Sequence, residues 1–70
     1  MQNPTEQQID DAIANFTVAS EDDYTGQFID YRVLGLLKSG IAFETTNCIT
    51  EHAAIMEFKD MVAIELEMYP

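Results

Sequence analysis

Near the start of the chain, Ile9, Ala12, Ile13, Phe16 and Ala19 recur at three- and four-residue spacing, and Glu6, Asp10, Asp11 and Asn15 take the opposite side. That period predicts an amphipathic helix over residues 4–17. Asn3 suits the N-cap, Pro4 the first helical position and Glu6 the far corner of a capping box.

A second helix start follows at Ser20. Glu21, Asp22 and Asp23 fill what would be its first turn, where the helix dipole favours negative charge. The apolar residues after it are Tyr24, Phe28, Ile29, Tyr31, Val33, Leu34, Leu36 and Leu37. These are too many for one narrow stripe, so the pattern predicts a helix apolar around most of its circumference, central or in an interface. Lys38 sits in its last turn, and Gly40 suits a left-handed terminator. Gly35, in mid-helix, either permits close packing or marks a break.

The stretch 41–49 reads as a short strand or an irregular connection. Thr50 offers an N-cap, and residues 51–68 hold no Gly or Pro and are rich in Ala, Glu, Met and Leu. Ile55, Phe58, Val62, Leu66 and Tyr69 would line one face of a long helix. A competing pattern sets Val62, Ile64, Leu66 and Met68 on one face of a strand, alternating with Glu65 and Glu67. The favoured fold is a single all-α domain of three helices over residues 1–70. The alternative is α+β, with a two-stranded sheet from 41–46 and 61–68.

Seventy residues bury a modest core, and a chain of this size usually needs a staple. Cys48 is the single cysteine, which rules out an internal disulfide. A homodimer through the apolar second helix is therefore the expected staple. The run Val33–Leu37 is far too short for a membrane span, and residues 1–8 carry no basic cluster or apolar stretch. The expected location is the cytoplasm, or the host cytoplasm if the source is a phage.

Charge changes the picture most. Thirteen acids against three bases give a net charge of −10. Such a surface repels nucleic acid and anionic membranes and attracts basic ones. None of Arg32, Lys38 and Lys59 has an acid three or four residues away, whereas Glu6–Asp10 and Glu57–Asp60 are like-charged pairs at that spacing. The acids are either a solvated face that keeps the chain soluble or a surface left free for a basic partner.

Candidate chemistry is thin. Cys48 and His52 are four residues apart, but no second Cys or His completes a zinc site, and nothing marks an oxyanion hole. Aligning Gly26 with a calcium-loop glycine puts Glu21, Asp23 and Thr25 at ligand positions, yet Arg32 then falls where a bidentate Glu is required. There is no phosphate loop and no nucleophile elbow. The expectation is a non-enzymatic binding protein with no metal and no cofactor.

Two binding readings compete. In the first, Asp10, Asp11, Glu21, Asp22, Asp23, Glu57, Asp60, Glu65 and Glu67 form an acidic face that occupies the nucleic-acid-binding surface of a basic protein. Small acidic phage-encoded inhibitors of host defence, anti-CRISPR proteins among them, act in this style as DNA mimics, and the analogy is one of composition. In the second, the chain is an adaptor that docks through Tyr24, Phe28, Tyr31 and its methionines.

Overall fold

The computed structural model describes residues 3–22, 26 and 29–68. It is an α+β fold in two layers, not a three-helix domain. A short helix α1 (Glu6–Ala12) leads into strand β1 (Ile13–Asp22). Strands β2 (Ile29–Leu37) and β3 (Ala42–Glu44) follow, and a long helix α2 (Glu51–Met68) ends the described chain. The three strands form an antiparallel meander in the order β1-β2-β3.

Residues 13–17 of the expected first helix, and residues 20–22 and 29–37 of the expected second, are strand. The helix expected over 4–17 stops at Ala12, and Thr5 rather than Asn3 caps it. Thr5 Oγ1 accepts from the Gln8 N–H at 3.1 Å, and Gln8 Oε1 accepts from the Thr5 N–H at 2.8 Å. From Ile13 onward the β-branched and aromatic residues prefer the pleated sheet. Ser20 therefore lies inside β1 and caps nothing.

The residues that crowded the supposed second helix instead alternate across β2. Val33, Gly35 and Leu37 are buried beneath α2, while Leu34 and Leu36 face outward and are 42% and 38% exposed. A half-exposed strand is usually polar on one side. From Val33 to Leu37 this one is apolar on both, which is why the sequence resembled a helix without a polar face. Gly40 adopts a positive φ of 97°, but in the β2–β3 turn, where it closes a hairpin instead of a helix.

The helix over 51–68 is present as expected, so residues 61–68 are not a strand. Thr50 caps it, its Oγ1 accepting from the Ala53 N–H at 3.0 Å. The partner of Ala42–Glu44 is β2: Leu34 faces Glu44, Gly35 faces Phe43 and Leu36 faces Ala42.

The core lies between α2 and one face of the sheet. Val33, Leu37, Ala54, Phe58 and Val62 are fully or nearly buried, flanked by Ile9, Ile13, Val18, Phe43 and Leu66 among others. Phe58 makes the closest approach, because its ring fills the space a Cβ at position 35 would enter. Phe16 leans on the same ring, with centroids 5.6 Å apart. The buried Thr45 stands in for a strand partner. Its Oγ1 accepts from the Val33 N–H at 2.9 Å, and its own N–H donates to the Val33 carbonyl at 3.0 Å.

Candidate functional site

Two places gather chemically notable side chains. One is the distal end of the β1–β2 hairpin. The last described pairs of its ladder are Glu21 opposite Asp30 and Asp22 opposite Ile29. Glu21, Asp22 and Asp30 are all exposed. Glu21 and Asp30 thus sit directly across the ladder as like charges, an arrangement that costs stability. Among the described residues from 19 to 30, none belongs to the core or to the hydrophobics packed against it. The acids at this end therefore decorate a projection that folding does not require them to serve.

The other place is the loop between β3 and α2. Glu57 reaches from α2 and accepts from the Thr46 N–H at 3.1 Å and from Thr46 Oγ1 at 2.9 and 3.0 Å. The Cys48 thiol donates to Glu57 Oε2 at 3.2 Å and to the Thr46 carbonyl at 3.4 Å. The Thr46 backbone N–H, then the Cys48 and Thr46 side chains, hold the Glu57 carboxyl below the ordinary carboxylate range. The same carboxylate pushes the Cys48 thiol up, first through the hydrogen bond, then with loss of hydration and direct repulsion. A thiol held protonated is a poor nucleophile. Its hydrogen bonds go to Glu57 and Thr46 and not to His52, so the expected Cys–His spacing assembles no pair among the described residues. Glu57 acts as a latch that ties the loop to α2.

The other acids scatter over the surface. Asp10 pairs with Lys59 at 3.3 Å, and Asp11 accepts from Gln7 at 2.9 Å. Asp60 is exposed on α2, and Glu65 and Glu67 are half-buried near its end. The acids read from the sequence do not share one face: Glu21 and Asp22 stand at the hairpin end, Asp10 and Asp11 lie on α1, and Glu57, Asp60, Glu65 and Glu67 lie on α2. Asp23, Tyr24 and Phe28 lie outside the described residues. Tyr31 is half-buried and packs against the core, and its backbone is bridged to Cys48.

Sequence reasoning overlooked Asp30, which becomes an acid of the hairpin end only once 29–37 is read as a strand. It also overlooked the partners of the bases. Arg32 pairs with Glu44 across the sheet at 3.3 Å, so two of the three cations are neutralised by tertiary contacts and not by helix spacing.

Among the described residues no three His, Cys, Asp or Glu side chains gather to hold a metal. No described helix is long and apolar enough to cross a membrane. Comparison with known protein families, characterised proteins and solved structures returned no match.

Proposed function

We propose that the protein is a non-enzymatic binding module whose carboxylates occupy a basic, nucleic-acid-binding surface of a partner protein. The observation that carries this reading is the hairpin end, where Glu21, Asp22 and Asp30 are exposed and Glu21 stands opposite Asp30, with the nearby Arg32 engaged by Glu44. A destabilising like-charge pair on a projection free of core duties makes sense as a contact surface. Repulsion of that kind is relieved when a cationic surface arrives.

The charge density sharpens the mimicry. The molecule is 46 Å long and carries a net charge of −10, so one net charge falls on about every 4.6 Å of its length. A duplex presents a charge every ~1.7 Å of axis and one of its strands every ~3.4 Å. The acids gathered in one place are Glu21, Asp22 and Asp30, so the surface the protein fits is a short basic stretch of a nucleic-acid-binding groove. The style is that of small acidic phage-encoded inhibitors of host defence, and cytoplasmic action would suit it.

The test is a pull-down from nuclease-treated host lysate, eluted along a salt gradient and repeated with a single-stranded oligonucleotide as competitor. The expected partner is basic, leaves at moderate salt, is displaced by the oligonucleotide, and is lost when Glu21, Asp22 and Asp30 are all changed to Lys. A partner that resists high salt and ignores the triple reversal overturns the reading.

A further inference from the structure

The two edges of the sheet are built differently. The β3 edge is three residues long and carries Glu44, a short charged end of the kind that discourages strand pairing. β1 is ten residues long, and its stretch Ile13–Ser20 has no charge, no Pro and no Gly. It belongs to the longest uncharged run in a sequence that is 23% charged.

The hydrogen bonds fix which groups this edge presents. Tyr31 exchanges both backbone bonds with Cys48, at 2.8 and 2.7 Å. The Val33 carbonyl accepts from Thr45, and the Leu37 N–H donates to Ile41. Tyr31, Val33 and Leu37 therefore turn their backbone groups away from β1. Alternation turns those of Arg32, Leu34 and Leu36 toward it, to meet Ala19, Thr17 and Asn15. The residues between, Phe16, Val18 and Ser20, aim their N–H and C=O groups outward. No other described element offers them a backbone hydrogen bond.

We propose that a second copy of this chain covers this edge. β1 of each protomer pairs antiparallel with β1 of the other about a twofold axis at Val18, which joins two three-stranded sheets into one of six. Outward-pointing residues then meet outward-pointing residues: Val18 faces its own copy and Phe16 faces Ser20 of the second copy. Asn15 comes opposite Glu21 of the second copy, and Ala14 opposite Asp22, so no acid faces an acid. Parallel pairing would bring Glu21 and Asp22 of the two copies side by side, which the net charge of −10 makes costly.

The surface area agrees. A compact monomer of 7.9 kDa exposes about 4,400 Å², against the 5167 Å² of this chain. The surplus of about 750 Å² is that of an extended chain, with the β1 edge among its uncovered surface. The radius of gyration, 13.4 Å, likewise exceeds the ~11 Å of a compact chain of this length.

The test is the mass of the full chain in solution by sedimentation equilibrium. The wild type is expected at twice 7.9 kDa. Ser20→Pro removes an outward N–H, which an edge strand tolerates, and is expected to sediment as a monomer with an unchanged circular dichroism spectrum. Leu36→Lys, on the open sheet face, is expected to remain dimeric. A monomeric wild type overturns the proposal. So does a folded Ser20→Pro dimer, or a Leu36→Lys monomer, which would assign the contact to the open face. Should Ser20→Pro fail to fold, Asn15 decides. Asn15→Lys, facing Glu21 of the second copy, is expected to lower the dimer Kd by roughly two- to fivefold per contact, and Asn15→Glu to raise it by as much. A Kd that neither change moves overturns the pairing.

Discussion

Gly35 and Phe58 interlock: the ring of Phe58, fully buried on α2, lies where any side chain on residue 35 would begin. This contact sets how closely the helix approaches the sheet. Gly35→Ala is expected to force the ring or the helix outward and to cost about 1–3 kcal/mol, as overpacking does. Urea denaturation of the variant would show it as a lower midpoint. Gly35→Ala combined with Phe58→Leu is expected to lose less than the sum of the two single changes, since each relieves the other.

Glu57 supplies a pH dependence with a defined sign. Its carboxyl is held below the ordinary range by Thr46 and Cys48. The latch therefore stabilises the fold above the usual carboxylate pKa, near ~4.3, and the contribution is lost as pH falls through the lowered folded value. Glu57→Gln is expected to lower the urea midpoint at pH 7, and the gap from wild type is expected to close in acid. Denaturation curves on both sides of the isoelectric point of 4.1 would measure this.

Cys48 reports on the same latch through its reactivity. Because the neighbouring carboxylate raises its pKa, the thiol is expected to react with iodoacetamide more slowly in the folded chain than in urea at mildly alkaline pH. Glu57→Gln is expected to speed the reaction in the folded state. Equal rates for both folded proteins would show that the carboxylate does not govern the thiol.

The Glu21–Asp30 pair predicts opposite changes in stability and in binding. Glu21→Lys turns a cross-strand repulsion into an attraction and is expected to stabilise the free protein by about 0.2–1 kcal/mol, an effect that salt reduces. The same change is expected to weaken capture of a basic partner. A variant that gained no stability in low salt would show that the two carboxylates avoid each other in solution.

Helix α2 was readable from the sequence because it depends on local preference alone: Thr50 caps it, and no breaker interrupts 51–68. The strands were not, and β1 shows the reason. A register shift between Ile13 and Asn15 adds a residue to the ladder. A bulge of this kind lets Ile13 and Phe16, three residues apart, both pack on the core side. Three-residue spacing thus imitated a helical turn. In β2 the outward Leu34 and Leu36 hid the alternation that would have betrayed a strand. At the candidate site, Glu21 and Asp22 were visible as acids, but only the hairpin brings Asp30 to them. Glu57, read as a surface acid, turned out to be bound by Thr46 and Cys48, partners eleven and nine residues away that no helix-spacing rule anticipates.

The described end of the hairpin stands clear of the core, with none of its described residues from 19 to 30 packed there. On the proposed function, foldability and partner choice fall to separate parts of one short chain. Val33, Gly35, Phe58 and Val62 are constrained by one another, whereas the acids at the hairpin end answer only to solvent and to whatever they touch. Such a division would let these acids drift, gain charge or lose it across generations without endangering the scaffold.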